Sequence, residues 1–432
     1  MKNSRAIAAL LIQAVIDGGR ALDQSLISSR IEDGHEDRGF VQELSFGVCR
    51  WYGLLEHIGN QLLSKPFRNK DRDIHFILMI GIYELVILKN AEHAAVNEAV
   101  EASKQLKKSW AVKVINACLR RLQRETQTLV PATDTGLVLS HPDWLYAAIQ
   151  ANWPNHVNEI LAANNSRPRM CLRVNQNQFE RQGYLDALHA AELAAEADPY
   201  AATGVIMQKA VGVDRLPEFR AGACSVQDTA AQIAAELLPI KAGDTFLDVC
   251  SAPGGKLAHI LEGNPELGQA DAIDSDETRV KRIQENLDRL RLTANCYVAD
   301  ATQEPNWPTP QTGYDMILVD APCSGTGVVS RHPDIRHHRR ASDIPLMVGL
   351  QAKILQQSWQ LLKPGGQLMY TTCSILPDEN EQQAKKFLQD HADATEIPLK
   401  HPQAIKLKHG VQSLQGVHSM DGFFYFLVKK QN

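Results

Sequence analysis

The sequence lacks several features that would assign it quickly to a class of protein. None of its eight cysteines forms a C-x-x-C pair of the kind that holds structural zinc or performs thiol redox chemistry. Its longest apolar run, from Ile74 to Leu88, is too short to cross a bilayer and contains a histidine and a glutamate. The N-terminal residues have no small-residue cleavage site of the secretory type. We therefore expect a cytoplasmic protein with reduced thiols, no bound metal and no membrane partner.

Three familiar ligand-binding loops are also missing. The strand-like run Thr245 to Cys250 leads into the turn Ser251-Ala252-Pro253-Gly254-Gly255-Lys256. A Walker loop would need glycine at Cys250 and a hydroxyl residue at Leu257. G-x-G-x-x-G and G-x-S-x-G are absent as well. Glycines let the backbone approach a ligand, and a helix N-terminus offers free N–H groups, so the turn predicts a nucleoside-bearing cofactor without a pyrophosphate.

An excess of positive charge is missing too, since the formal net charge is −5. Cations are nevertheless clustered: the stretch from Glu101 to Arg124 has seven Lys and Arg against one Glu. The stretch from Arg331 to Arg340 has four arginines against one aspartate and follows Cys323 closely. Such patches steer polyanions, so both segments are candidates for contact with a nucleic-acid backbone. A solvated helix surface is the alternative for either segment.

Periodicity divides the chain into segments of different class. Apolar residues at helical spacing predict an all-α bundle over 1–135 and a helical linker over 136–163. The segment 164–222 predicts a small α+β module, in which Arg169 and Arg173 either contact phosphate or are edge-strand charges. Strands and helices alternate over 223–432, which predicts an α/β domain of the Rossmann-like type with a mostly parallel, seven-stranded sheet. The fold class is therefore multidomain.

Two cysteines lie where strand-like runs end. Cys323 follows Asp320-Ala321-Pro322, and Cys373 follows Tyr370-Thr371-Thr372. Ligands bind beyond the carboxyl ends of parallel strands, so both thiols and the Asp320 carboxylate are expected in one crevice. Taken singly, each cysteine has the alternative of being a small buried hydrophobe.

Acidic residues also close successive strands of this domain. Asp274 ends the second strand, where a carboxylate suits a ribose diol, and Asp300 ends the third, where it can receive a nucleobase amino group. Asp248 and Asp320 belong to the same series on the first and fourth strands. Four acids in register predict a shared cofactor site.

The motifs together resemble a known family. The stretches 248–256, 320–327, 370–374, 377–381 and 421–425 resemble the S-adenosylmethionine-dependent RNA cytosine-C5 methyltransferases. The stretches 94–100 and 114–121 resemble NusB, an RNA-binding factor. The whole chain is similar to the bacterial small-subunit (16S) rRNA branch of that family, the Sun/RsmB type. One departure is His337, where the family usually has an aromatic residue.

The resemblance implies an activity and roles for residues. It implies methyl transfer from S-adenosylmethionine to C5 of a cytidine in 16S rRNA, free or partly assembled, through a cysteine–C6 adduct on a monomeric enzyme. Cys373 would be the nucleophile, Cys323 would assist its release, and Asp320 would bond the base. The implied cofactor-binding residues are Cys250, Ser251, Ala252, Pro253, Gly254, Gly255, Lys256, Asp274, Asp300 and Asp320.

Three alternatives stay open at this point. The cysteine roles could be exchanged, because DNA cytosine methyltransferases attack with the Pro-Cys thiol. The substrate could be tRNA or another nucleic acid. Finally, the chain could be a non-enzymatic RNA-binding assembly factor, although the intact glycine turn and both cysteines speak against this.

Overall fold

The protein is described by a computed structural model that covers residues 3–28, 37–401, 403–417 and 420–431. The chain forms two compact units. The first comprises Met1–Arg167 and Val329–Ala341, and the second comprises Pro168–Val328 and Ser342–Asn432.

The described helices are α1 Ser4–Ile16, α2 Leu22–Ser28, α3 Arg38–Leu62, α4 Arg72–Val86, α5 Glu92–Gln105, α6 Ala111–Leu129, α7 Thr133–Leu139, α8 Asp143–Asn152, α9 Val157–Asn165, α10 Arg181–Ala190, α11 Thr229–Glu236, α12 Gly255–Gly263, α13 Glu277–Leu290, α14 Ile335–His338, α15 Ile344–Leu361 and α16 Glu381–Asp390. The described strands are β1 Met170–Val174, β2 Ala195–Ala197, β3 Gly204–Met207, β4 Cys224–Val226, β5 Thr245–Val249, β6 Gln269–Asp274, β7 Asn295–Val298, β8 Tyr314–Asp320, β9 Leu362–Thr372, β10 Ala394–Ile397, β11 Ile405–Lys406, β12 Val411–Gln412 and β13 Phe424–Lys430.

The first unit is a helical bundle, as the periodicity predicts. Helix α4 lies at its centre, since every residue from Ile74 to Glu84 is buried and a helix that is apolar on all sides must be covered on all sides. Helices α1, α3, α5 and α6 pack around it. The Asn3 side chain caps α1 by accepting hydrogen bonds from the N–H groups of Arg5 and Ala6. The predicted boundary between the bundle and the linker, after residue 135, falls within helix α7.

The segment 329–341 folds into the first unit and corrects one expectation. The Arg336 side chain is 4 % exposed and donates to the carbonyl oxygens of Arg50, Ser140 and Asn164 at 2.6, 2.9 and 2.7 Å. His337 Nε2 lies 2.9 Å from the carbonyl oxygen of Cys49. Arg336 therefore binds backbone within the bundle and cannot contact RNA, and the His337 ring is likewise engaged inside this unit. A count of charges along the sequence does not reveal which guanidinium is buried.

The second unit begins with a small antiparallel sheet in the order β2-β3-β1-β4, accompanied by α10. Strand β4 pairs with β1 and lies beyond the proposed module boundary at 222. A 3₁₀ turn occupies Val213–Arg215. The Arg173 side chain is completely buried, so this arginine does not contact phosphate.

The larger sheet of the second unit has the expected doubly wound core. Its order is β11-β12-β13-β9-β8-β5-β6-β7, with β10 pairing to β13. Strands β7, β6, β5, β8 and β9 are parallel, and β13 joins β9 antiparallel. Seven strands of four or more residues match the expected number, and two-residue strands β11 and β12 extend the edge. The carboxyl ends of β5, β6, β8 and β9 thus meet along one edge.

The described residues include neither a membrane-spanning helix nor a metal-binding group. Among residues 3–28, 37–401, 403–417 and 420–431, no helix is both long and apolar enough to cross a membrane. Within the same part of the chain, no group of three His, Cys, Asp or Glu side chains is arranged to hold a metal ion.

Candidate active site

The structure brings the two strand-end cysteines together. Cys323 follows β8 and Cys373 follows β9, and their sulfur atoms lie 3.4 Å apart. The loops are joined by backbone bonds: the Ala321 N–H donates to Thr371 O at 3.0 Å, and the Gly327 N–H donates to Cys373 O at 2.9 Å. A Cβ at Gly327 would lie 2.0 Å from a backbone oxygen of Gly422, so only glycine fits there. Parallel pairing of β8 with β9 therefore places both thiols in one crevice.

A buried carboxylate ties the two cysteine loops to each other. Glu379 has no exposed surface and accepts hydrogen bonds from the Ser324 N–H at 2.8 Å and from the Ser324 and Ser374 hydroxyls at 2.5 Å each. The Gln351 side-chain amide donates to the same carboxylate at 3.1 Å. Because Ser324 and Ser374 directly follow the two cysteines, Glu379 fixes the backbone that holds each thiol.

The environment of Cys323 favours its protonated form. The pKa of Cys323 is well above its usual value because of the hydrogen bond with Cys373, then burial, then the charges of Cys373 and Glu379. Cys323 therefore keeps its proton at neutral pH.

A lysine from the glycine turn lies next to this pair. Lys256 Nζ donates to Asp320 Oδ2 at 2.6 Å and lies 5.1 Å from the centre of the Phe423 ring. Burial alone lowers the pKa of Lys256, but the charges of Asp320, Cys373 and Asp248 and the hydrogen bond with Asp320 raise it above its usual value overall. Lys256 is therefore a buried ammonium that interacts electrostatically with Cys373.

A cavity of about 320 Å³ opens at this edge of the sheet. The predicted site residues that line it are Cys250, Ala252, Asp274, Asp300, Asp320, Cys323 and Cys373. The remaining predicted residues, Ser251, Pro253, Gly254, Gly255 and Lys256, are not part of the lining. Gly254 shapes the turn instead, because its φ of +88° is a left-handed conformation that favours glycine.

Two of the three acids assigned to the cofactor, Asp274 and Asp300, differ in burial. Asp274 is 3 % exposed, and its Oδ2 lies 3.3 Å from the Ala252 N–H and 3.3 Å from the Arg279 guanidinium. Asp300 is exposed and accepts from the N–H and hydroxyl of Thr302 at 2.9 and 2.7 Å, and these bonds lower its pKa. Both carboxylates are thus held in place at the cavity wall.

Asp248 lies beneath this wall within β5. It is 1 % exposed, and its Oδ2 accepts from the Ser251 hydroxyl at 2.6 Å, whereas its Oδ1 has no partner among the described atoms. Burial raises the pKa of Asp248 to about 7; the Ser251 hydrogen bond opposes this, and the charge of Asp320 adds to it. Asp248 supports the turn and does not line the cavity.

Sequence reasoning missed four residues that contribute to the site. Arg279 lines the cavity and donates to Ala252 O at 3.2 Å, and Leu350 and Ile354 of α15 form part of the wall. Glu379 stood within the quoted 377–381 motif without an assigned role. The only sequence signal for Glu379 was its position as an acid six residues after Cys373 within a motif. Its hydrogen-bond donors lie on two loops that are distant from each other in sequence, so the sequence does not reveal them.

Models of three protein families match the chain. The model for 16S rRNA methyltransferase RsmB/F matches residues 235–429, and the NusB family model matches residues 2–124. A ferredoxin-like domain of RsmF/B-like methyltransferases matches residues 141–214.

Solved structures share the fold. PH0851 superposes with a TM-score of 0.82 over 99 % of both chains at 23 % identity. NSun6 from Pyrococcus horikoshii with SFG superposes with a TM-score of 0.60, covering 67 % of this chain and 98 % of that one at 19 % identity. At these identities the likeness concerns the fold.

Curated relatives match at higher identity over the full length. Ribosomal RNA small subunit methyltransferase B of Pseudomonas putida is 41 % identical over 98 % of this chain and 97 % of its own. The protein of the same name from Vibrio cholerae is 41 % identical over 100 % of this chain and 98 % of its own. The chain therefore belongs to the 16S rRNA methyltransferase RsmB/F family.

Proposed function

We propose that this protein transfers a methyl group to C5 of a cytidine in 16S rRNA through a covalent adduct between Cys373 and C6 of the base. The pair of cysteine sulfurs 3.4 Å apart, beside the Lys256–Asp320 ion pair, is the observation that supports this most directly. Cytosine C5 is a poor nucleophile, so a group must first add at C6 and push electron density onto C5. A thiolate adds well and leaves again afterwards.

Membership of a methyltransferase family implies S-adenosylmethionine as the methyl donor. The residues at the cavity fit it: Asp274 and Asp300 are carboxylates suited to ribose hydroxyls and a base amino group, and Cys250 and Ala252 bring backbone close to them. The absence of a Walker or dinucleotide loop agrees with a nucleoside that has no pyrophosphate. When bound there, the sulfonium compound supplies an electrophilic methyl group.

In this proposal Cys373 attacks and Cys323 ends the reaction. The Cys373 thiolate forms a bond to C6, and the electron pair of the C5–C6 double bond becomes available at C5 for the new C–CH₃ bond. The Cys323 thiol then gives its proton to the departing Cys373 sulfur and takes the C5 proton. The electron pair of the C5–H bond re-forms the C5–C6 double bond as the C6–S bond breaks. Loss of the proton now on the Cys373 sulfur regenerates the attacking thiolate, so one proton is released overall. The raised pKa of Cys323 supports its role as the proton carrier.

Lys256 and Asp320 hold the base and balance charge. The Lys256 ammonium, whose charge interacts with Asp320 and Cys373, offsets negative charge in the site during attack. Asp320 would accept a hydrogen bond from the exocyclic amine of cytosine and stabilise a proton at N3 as the adduct forms. The target nucleotide must leave its stack to reach this cavity, which costs least at an unpaired site.

Domain roles are part of the proposal. We assign 1–135 as an RNA-binding helical domain, 136–163 as a helical linker, 164–222 as a small RNA-binding module and 223–432 as the catalytic domain. We also propose that the enzyme works as a monomer. The names of the curated relatives support small-subunit rRNA as the substrate.

Methyl transfer to purified nucleic acids tests the proposal. We expect radioactive methyl groups from labelled S-adenosylmethionine to appear in an unmodified 16S rRNA transcript as 5-methylcytidine at one site found by bisulfite sequencing. Label in tRNA or DNA but not in 16S rRNA would refute the substrate, and label at another position of the base would refute the C5 chemistry. If no nucleic acid were labelled, a non-catalytic RNA-binding role would replace the proposal.

A further inference from the structure

The first unit contains a large cleft that no part of the proposed chemistry uses. It has a volume of about 750 Å³ and lies between the C-terminal end of α3, the loop from Leu63 to Asp71, and α6. Its side chains combine two aromatic rings with four cations: Lys65, Phe67, Arg68, Lys70, Trp110 and Lys113.

The tryptophan of this cleft is unusually open. Trp110 is 53 % exposed, which is rare for so large an apolar side chain. The Phe67 ring lies against it, with ring centroids 6.3 Å apart and an interplanar angle of 57°. Phe67 is only partly exposed and packs on the bundle core, so it fixes the orientation of the indole. The exposed face of the Trp110 indole therefore borders the cleft.

The charge of the cleft is strongly positive. Lys65, Arg68, Lys70 and Lys113 are all exposed, and across the described part of the chain no acid forms an ion pair with any of them. The acid that lines the cleft, Asp71, is engaged by Lys108, whose ammonium lies 3.0 Å from Asp71 and 2.6 Å from Asp73. The cleft therefore offers unpaired cations to an anionic ligand.

We propose that this cleft binds a single-stranded segment of the RNA substrate, with an unstacked base on Trp110 and the phosphates beside Lys65, Arg68, Lys70 and Lys113. The proposal rests on the proposed RNA substrate and adds the place in the first unit where a part of that RNA other than the target nucleotide is held. An aromatic face beside a row of cations is the chemistry that recognises single-stranded nucleic acid. Duplex RNA fits less well because its bases are already stacked and cannot lie on the indole. An acidic peptide would satisfy the cations but has no flat ring for Trp110.

Binding of a fluorescently labelled, unstructured RNA of about 12 nucleotides to the full chain tests the site. We expect Trp110→Ala to raise the dissociation constant roughly tenfold, because one stacked base is lost, and Trp110→Phe to retain most of the affinity. Leu10→Ala is the matched control, since Leu10 is an exposed apolar residue of α1 in the same unit, 41 % exposed, outside the cleft. Equal affinity of wild type and Trp110→Ala would overturn the proposal.

Salt dependence tests the cations separately. Lys65→Ala and Lys113→Ala should each reduce the slope of log affinity against log salt by about 0.7, the value for one phosphate contact on a single strand. Lys104→Ala, whose ammonium is paired with Glu101 at 2.5 Å, should leave the slope unchanged. Equal slopes for all three variants would overturn the phosphate contacts. Binding of polyglutamate in competition with the RNA, with no effect of Trp110→Ala, would identify an acidic peptide as the ligand.

Methyl transfer separates this inference from the proposed function. With 16S rRNA as substrate, Trp110→Ala should raise KM and leave kcat unchanged, because the cleft positions RNA and takes no part in the chemistry. Failure of wild type to methylate 16S rRNA would refute the proposed function itself. Normal transfer by wild type together with an unchanged KM for Trp110→Ala would refute the cleft alone.

Discussion

Replacing Arg173 by methionine tests whether the small module holds helix α12 through a buried ion pair with Glu262 and a hydrogen bond to Gly255 O. Arg173 donates to both Glu262 oxygens at 2.8 Å each, to Gly255 O at 2.7 Å, and also to the side chain of Gln227. The side chains of Arg173 and Glu262 are 0 % and 2 % exposed. Gly255 directly precedes Lys256, so this arginine positions the helix start that delivers the active-site ammonium.

The expected loss of stability follows from burial. Removal of one partner from a buried ion pair leaves an uncompensated charge and costs about 3–5 kcal/mol. Urea-induced unfolding measures this loss. The matched control is Arg220→Met in the same module, because Arg220 and Asp214 lie 2.8 Å apart but are 85 % and 68 % exposed. Solvent screens such a pair, so the free energy of unfolding of Arg220→Met should equal that of wild type.

A double variant separates the ion pair from the bond to Gly255. Arg173→Met with Glu262→Leu removes both charges and should recover most of the stability, since a packed apolar pair often replaces a buried ion pair without loss. Its kcat should stay below that of wild type, because the hydrogen bond to Gly255 O is still missing. Equal losses of stability in Arg173→Met and Arg220→Met would refute the reasoning. Full kcat in the double variant would refute the positioning role.

Three further substitutions test other parts of the account. Glu379→Gln should lower kcat about tenfold with little change in KM, because charge-assisted hydrogen bonds of roughly 1.5–3 kcal/mol hold both cysteine loops; steady-state kinetics with an unchanged kcat would contradict this. Arg336→Ala should lower the unfolding free energy by about 2–4 kcal/mol, because three buried carbonyl oxygens lose their hydrogen-bond donor. It should leave the salt dependence of RNA binding unchanged. The stability control is Arg124→Ala, a substitution at an exposed position. Asp248→Asn should become more stable relative to wild type as pH rises from about 4 to 8. The pKa of Asp248 in the folded protein is about 7 and lies above the usual 3.8. The stability that Asp248 contributes to wild type is therefore present at low pH and is lost as pH rises through 7. A pH-independent stability difference would show that Asp248 is not the titrating group.

The motifs at the ends of strands were predictable from sequence because local order determines them. An apolar run followed by Asp-Ala-Pro-Cys or Thr-Thr-Cys predicts a strand end, and parallel pairing of β8 with β9 then brings Cys323 and Cys373 together. The helical bundle was predictable for the same reason, since a predominantly apolar helix such as α4 must lie at the centre of a bundle.

The placement of arginines was not predictable from sequence. Arg173 lies in a short alternating strand, and alternation shows that one face is buried without showing which long side chain has a buried partner. Its partner Glu262 is 89 residues away along the chain. Arg336 stands in a basic run, yet its acceptors are backbone carbonyls of three helical segments. Such acceptors have no side-chain signature.

The glycine turn was predicted in part. Its residues were all assigned to the cofactor, but only Cys250 and Ala252 line the cavity. The Lys256 side chain instead binds Asp320 at 2.6 Å. A contiguous motif predicts where a turn lies, whereas the direction of each side chain depends on the neighbouring strand that it meets.

The division of roles between the two cysteines is the central claim, and covalent trapping tests it most directly. Each of Cys323→Ala and Cys373→Ala is incubated with 16S rRNA and S-adenosylmethionine, and the protein is separated under denaturing conditions to detect an RNA-linked species. The account predicts an accumulated covalent adduct with Cys323→Ala, because the attacking thiol cannot be released, and no adduct with Cys373→Ala. An adduct with Cys373→Ala and none with Cys323→Ala would contradict the account and exchange the two roles.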